Sequence, residues 1–227
     1  MQRYSLITTK FPREFVLLQG YGCRWHKCTF CDYHTDCNTN PFEVNRKVLE
    51  RVTGEFGVLD IINSGSAMEL DSQTVALIRQ IIKERNIHTL WFEAHYMYRS
   101  QLESFAAQFA PAEVKFRCGV ESFDGSLRRE WNKGIAPDVK PEDIARHFRG
   151  VCLLVGVEGQ TRSQILADIA TADHLFEYYS VNLFCPNTSA VRLDKGLAEW
   201  FVREVYPTLR DNPRAEVLIE NTDLGVG

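Results

Sequence analysis

Residues 58–94 read VLDIINSGSAMELDSQTVALIRQIIKERNIHTLWFEA and hold one complete strand–helix–strand unit. Val58–Asn63 and His88–Ala94 are short runs rich in Ile, Leu, Val and Phe, as strands buried on both faces should be. Asp71 suits the N-cap of a helix over 71–85, whose sequence SQTVALIRQIIKER follows directly. The same alternation extends in both directions. Further strands are expected at Phe15–Gly20, Val114–Val120, Gly150–Val155 and Tyr179–Phe184, with an extra one at Glu216–Glu220. Helices are expected over 42–53 (behind Asn40-Pro41), 99–110, 141–149 (opened by Lys140-Pro141), 161–176 and 194–209. About six strand–helix repeats predict an α/β fold with a mostly parallel sheet. They fall short of the eight of a closed barrel, so a partial, open parallel β/α barrel is expected.

Parallel sheets carry their chemistry at the carboxyl ends of the strands. The polar clusters of this chain fall there: GYGCRWHKCTFC after the first strand, NSGS after the second and EAHY after the third. GVES, VEGQT and CPNTS follow the fourth, fifth and sixth. One active site is implied.

The 227 residues, 44% apolar, suffice for one domain, with its core over about 15–190 and a terminal helix and capping tail over 194–227. Charged residues make up 25% and aromatics 11%, which excludes disordered and fibrous classes. No apolar run approaches the ~18 residues that span a bilayer, and MQRYSLITTKFPREF lacks the apolar centre of a signal peptide. A cytoplasmic location is therefore expected. Thirty acidic against 26 basic residues, a net charge of −4, argue against nucleic acid as the main partner.

Seven cysteines without an export signal do not suggest a disulfide framework. Cys118, Cys152 and Cys185 lie in apolar stretches and read as small core residues. Cys23, Cys28, Cys31 and Cys37 crowd together, and Cys23-x4-Cys28-x2-Cys31 sits in the loop leaving the first strand. Three thiolates suit zinc, with His26, His34 or Cys37 as a fourth ligand, or an iron–sulfur cluster whose fourth iron is left for an amino acid to chelate.

The loop, the order of segments and the downstream motifs resemble the radical S-adenosylmethionine (SAM) superfamily. That family usually spaces its cysteines x3 then x2, and this chain has one more residue in the first gap. CTFCDY, NSGS at 63–66, GVESFDGSLRREWNKG at 119–134 and LLVGVEGQT at 153–161 are similar to the family's successive motifs. The resemblance runs from about residue 15 to 190. It implies a [4Fe-4S] cluster on Cys23, Cys28 and Cys31, reductive cleavage of SAM, and hydrogen abstraction from substrate by a 5′-deoxyadenosyl radical. It also implies SAM contacts from Phe30 and Tyr33 of the cysteine motif, and from Gly65 and Ser66 at the methionine amine. Glu93 and Glu121 match positions for its amine or ribose, Lys133 its carboxylate, and Leu154 the adenine through backbone groups. The residues alone leave Glu93 and Glu121 readable as solvated strand ends. Lys133 alone reads equally as a surface lysine beside Arg128 and Arg129.

No second cysteine group follows residue 37, which disfavours an auxiliary cluster. In size and layout the chain is similar to the queuine lyases of queuosine salvage, which release a 7-deazaguanine precursor from queuine. That likeness implies a nucleobase substrate and a one-electron donor such as flavodoxin or ferredoxin. A deazaguanine presents an exocyclic amine and a ring N–H, so its pocket needs acceptors. His34, His95, Asn187, Glu220 and Asp223 are the expected substrate contacts. Another small-molecule or tRNA-modifying radical SAM enzyme, and a non-catalytic zinc- or cluster-binding module, are the alternative readings.

Overall fold

Two strands have the bounds that their sequences predict, Val58–Asn63 and Gly150–Val155. A computed structural model describes residues 1–227, and the chain gathers into two compact units. The first comprises Met1–His26, Tyr33–Phe116 and Thr222–Gly227, the second Lys27–Asp32 and Arg117–Asn221.

In the first unit, β1 (Tyr4–Ile7) lies antiparallel to β2 (Arg13–Leu18), with Tyr4 opposite Val16 and Ile7 opposite Arg13. β2 pairs in parallel with β3 (Val58–Asn63), and β3 with β4 (Thr89–Glu93). Leu18 stands beside Asn63 and Ile61 beside Phe92, so the three strands end at nearly the same level. The first, antiparallel strand was not expected from the sequence. Its burial is only partial, so no continuous apolar run betrays it. The tail joins this edge. Gln2 N–H donates to Gly227 O (3.1 Å), Gly227 N–H to Gln2 O (2.8 Å), and the Ser5 hydroxyl to Leu224 O.

Helices α1 (Pro41–Leu49) and α2 (Ser72–Glu84) are pinned to the end of β2 by one buried amide. The Asn45 side chain accepts from Gln19 N–H (2.7 Å) and donates to Gln19 O (2.9 Å) and Thr74 Oγ1 (3.0 Å). Asp71 caps α2 by accepting from Thr74 N–H (2.8 Å). Thr74, Ile78, Ile81 and Ile82 fall on one helical face and are the buried ones. Helix 99–110 proves to be a shorter α3 (Leu102–Ala106) followed by a 3₁₀ turn. Its Phe105 and Phe109 join Phe92 and Phe116, with ring centroids 5.2–6.3 Å apart. At the opposite ends of the strands, Arg13 and Asp60 form a buried pair (2.8 Å). The buried Glu14 carboxylate accepts from Tyr4, Thr53 and Gly54.

Strand β5 (Glu113–Glu121) begins in the first unit and ends in the second. Within the second unit it pairs in parallel with β6 (Gly150–Val155), β6 with β7 (Tyr178–Leu183), and β7 with β8 (Ala215–Leu218). The extra strand expected at 216–220 is thus present, shifted toward its amino end. Helices α4 (Gly125–Glu130), α5 (Pro141–Ala145), α6 (Arg162–Leu175), α7 (Lys195–Trp200) and α8 (Tyr206–Leu209) complete the unit. The short α4 was not expected. It is capped by Asp124, which accepts from Ser126 and Leu127 N–H. The helix expected over 194–209 is broken by a π turn at Phe201–Val205. Pro207 lacks the N–H that would reach residue 203, and the wider turn absorbs the lost bond.

The faces of β7 are distinct. Tyr179 and Val181 are fully buried, with the Tyr179 hydroxyl donating to Asp173 of α6 (3.2 Å). Tyr178, Ser180 and Asn182 therefore point to the opposite face, away from α6. Register puts Gly150, Cys152 and Leu154 of β6, and Glu216 and Leu218 of β8, on that same face.

Candidate active site

In the first unit the site is built around one glycine. The ends of β2 and β3 are tied by Gly20 N–H to the Ser64 hydroxyl (3.1 Å). Beyond Gly20 the cysteine loop passes directly over Gly65. A Cβ at residue 65 would meet the Glu69 carboxylate, Gly22 O at 3.1 Å and Cys23 Cα at 3.2 Å. The Glu69 carboxylate would clash outright and the two backbones already approach closely, so glycine suits this position. Ser66 is 2% exposed, and its hydroxyl accepts from His95 N–H (3.0 Å), which joins the loop after β3 to the loop after β4. His95 Nδ1 accepts from Met97 N–H (3.1 Å), and its ring stacks on Trp25 of the cysteine loop at 5.5 Å.

Glu69, which the sequence reading passed over, holds this arrangement. Its carboxylate accepts from Arg24 N–H (3.1 Å) and from the Tyr98 hydroxyl (2.8 Å). Burial, then the bond and charge of Glu69, push that hydroxyl up to about 12. The far arm of the loop is held by Asp36, which accepts from Arg3 (2.6 and 2.9 Å) and Gln19 (2.6 Å). Burial raises the Asp36 carboxyl, but these bonds outweigh it and hold it below the usual carboxylate value. Glu93 closes β4, half-buried. His34 lies 6.4 Å from the His26 ring, Tyr33 is 60% exposed, and Asp223 is exposed.

In the second unit, Phe30 packs with Leu127, Trp131, Leu154, Val157 and Phe184, and Cys28 and Cys31 border this cluster. The ring meets Trp131 edge-on at 5.9 Å, and Thr29 N–H donates to Trp131 O (3.0 Å). The short segment is clamped on its other side. Asn187 Nδ2 donates to Phe30 O (2.8 Å), and Thr188 donates through N–H (3.0 Å) and hydroxyl (2.9 Å) to Asp32. Asn187 is thus engaged by the backbone of the cysteine segment. The Leu154 carbonyl accepts from Gln160 Nε2 (2.8 Å). Glu220 is exposed.

Lys133 is no surface lysine. It is 8% exposed, as is Glu121, and Lys133 Nζ donates to Glu121 Oε1 at 2.9 Å while lying 5.6 Å above the Phe30 ring. Burial pulls the ammonium down, but the Glu121 charge, then Cys28, hold its pKa well above the ordinary value. Glu121 itself has φ +65°, and the β5–β6 register slips between Gly119 and Glu121. A non-glycine residue held in this region marks a side chain deliberately re-aimed. Both glutamates stand at strand ends, and Glu121 is not solvated.

Cys23, Cys28 and Cys31 are in no disulfide, nor are the other four cysteines. Cys118 and Cys152 are buried core residues, and Cys185 is partly so. No three His, Cys, Asp or Glu side chains gather as a cage for a single metal ion. The donor set fits an iron–sulfur cluster through its chemistry: three soft thiols on one loop, and a turn from Cys28 O to Cys31 N–H (3.3 Å). A further group missed from the sequence is Asn182 of β7, the one carboxamide in the strand YYSVNL.

Comparison with known proteins places this geometry. No family model matches the chain, and no curated protein matches it. Among solved structures, the queuine lyase from Clostridium spiroforme bound to SAM and queuine is 38% identical, with a TM-score of 0.95 over 100% of this chain and 99% of that one. Methylornithine synthase is 14% identical, with a TM-score of 0.61 over 89% of this chain and 63% of that one. The fold class is the α/β, open parallel barrel that the strand–helix alternation implies.

Proposed function

We propose, since the chain belongs to the queuine lyase family of the radical SAM superfamily, that it binds a [4Fe-4S] cluster and SAM and releases a 7-deazaguanine base from queuine. One observation carries the reading: 38% identity along the whole chain to a queuine lyase whose solved structure holds both SAM and queuine. When bound, the cluster supplies the electron that splits a carbon–sulfur bond of SAM, so that a 5′-deoxyadenosyl radical takes hydrogen from the substrate.

The chain's own residues bind and orient. Cys23, Cys28 and Cys31 would hold the cluster, Gly65 leaving room for their loop. The Lys133–Glu121 pair offers an ammonium and a carboxylate, matching the carboxylate and the amine or ribose hydroxyls of SAM. Phe30 and Leu154 offer an apolar surface to the adenine. Glu93 and Ser66 would complete the methionine end. Tyr33, His34, His95 and Asp223 belong to the first unit, and Glu220 to the second. Of these, Tyr33 would lie toward SAM and the rest toward the base. The electron comes from a one-electron donor such as flavodoxin or ferredoxin, in a reducing cytoplasm that suits seven cysteines outside any disulfide. No helix is long and apolar enough to cross a membrane. The net charge of −4 disfavours nucleic acid as the substrate.

The test is anaerobic reconstitution with iron and sulfide, followed by SAM, a reductant and queuine. The expected result is a brown protein that forms 5′-deoxyadenosine and a free 7-deazaguanine, both lost in Cys28→Ser. SAM cleavage without base release would assign the machinery to another substrate. A colourless zinc protein indifferent to SAM would overturn the enzyme reading itself.

A further inference from the structure

Asn182 lies near the carboxyl end of β7, on the face turned away from α6. Its neighbours in register are Leu154 of β6 and Leu218 of β8, so its carboxamide is flanked by two apolar side chains. The Asn182 Oδ1 atom is buried and has no hydrogen-bond partner. Buried carboxamide oxygens are ordinarily satisfied, and one that is not calls for a donor from outside the protein.

Three other polar groups on this face, Tyr178, Glu216 and Arg117, are nearer the amino ends of the strands and engage one another. The Tyr178 hydroxyl donates to Glu216 (2.7 Å), and the Arg117 guanidinium lies 5.9 Å over the Tyr178 ring. Asn182 stands level with Leu154 of the Leu154–Phe30 apolar cluster, on the next strand of the sheet. Adjacent strands are about 4.8 Å apart, so a ligand beside an adenine on Leu154 and Phe30 would bring its edge to residue 182.

We propose that Asn182 reads the base of the substrate, its Oδ1 accepting from the exocyclic amine or ring N–H of the 7-deazaguanine. The proposal rests on the queuine lyase reading given above. A deazaguanine places two donors side by side on one edge, and a buried acceptor rejects analogues that lack them. Asn182 is thereby a binding and specificity residue, with no part in SAM cleavage.

The experiment compares the reconstituted wild-type enzyme with Asn182→Leu and Asn182→Asp. Leucine keeps the volume and removes the acceptor; aspartate keeps an oxygen in its place. Measured are KM and kcat for queuine, SAM affinity, and the response to a queuine analogue without the exocyclic amine. Asn182→Leu is expected to raise KM for queuine roughly 10- to 100-fold, with SAM affinity unchanged and the penalty for the analogue abolished. Asn182→Asp, if folded, should retain KM within a few-fold and preserve discrimination. An unchanged KM in Asn182→Leu, or a parallel fall in SAM affinity, would overturn the assignment while leaving the lyase reading intact. Failure of the wild type to act on queuine, with SAM still cleaved, would overturn the lyase reading and this inference with it.

Discussion

Replacing Lys133 by methionine isolates the charge of the buried pair, because methionine keeps most of the length and apolar contact of lysine above Phe30. Two unit charges at a separation near the observed 2.9 Å attract by roughly 5–6 kcal/mol at an effective dielectric of 20. Removing two ions from water takes back several kcal/mol of this. A net coupling of about 2–3 kcal/mol is expected, and Lys133→Met alone should cost about 3–5 kcal/mol, since it strands the Glu121 carboxylate. The measurement is a double-mutant cycle with Glu121→Gln, by urea unfolding followed through tryptophan fluorescence under anaerobic, reducing conditions. The folded Lys133 titrates above its ordinary 10.5. Its contribution is therefore complete below the unfolded value and is lost only as pH climbs through the folded one, so this coupling should be flat between about pH 6 and 9. A coupling under about 0.5 kcal/mol would refute the buried-pair argument and leave Lys133 as a solvated cation.

Gly65→Ala should destabilise the protein by about 1–3 kcal/mol through the clash with the Glu69 carboxylate and the tight contact with the cysteine-loop backbone, and lower the iron retained after reconstitution; full iron content would show that the loop and Glu69 yield freely. Asn187→Ala removes the clamp on Phe30 O, so iron retention should fall with a loss of about 1 kcal/mol while KM for queuine stays unchanged. A KM effect alone would make Asn187 a substrate ligand instead. Burial raises the Asp168 carboxyl from 3.8 to about 6 despite bonds from Ser122 and Phe123. The sign follows: stability from this group is complete below about pH 4 and lost as pH rises to about 6, a total of roughly 2–3 kcal/mol. Urea midpoints across that range should slope in the wild type and flatten in Asp168→Asn; parallel curves would count against the assignment.

The strands that could be read are those whose two faces are both covered. Gly150–Val155 is buried at every residue, so its composition alone marks it. β1 escapes because Leu6 is exposed and the pairing that makes it a strand is with β2, beyond any local pattern. The π turn escapes because a helical pattern continues through residues 201–205 on either side of the proline's missing donor. The cysteines, NSGS and the GVES segment were legible as motifs, and Gly65 gains its reason only when Gly22 and Cys23 pass over it. Glu69, Asp36 and Asp32 support the loop through partners 17–156 residues away. No spacing announces such bonds. Asn182 did leave a trace, a lone amide in YYSVNLF, but a polar residue in a strand says nothing of whether its oxygen is answered.

Gln2 and Gly227 face each other through a reciprocal pair of main-chain bonds. Residues this near can be joined by a linker of a few glycines, and the ring reopened elsewhere without altering the order of parallel strands. The Gly54–Gly57 turn, where both glycines have positive φ, is a natural place to cut. Circular permutants of this kind would move the exposed ends away from the β1 edge, freeing it to carry a reporter or an immobilising tag.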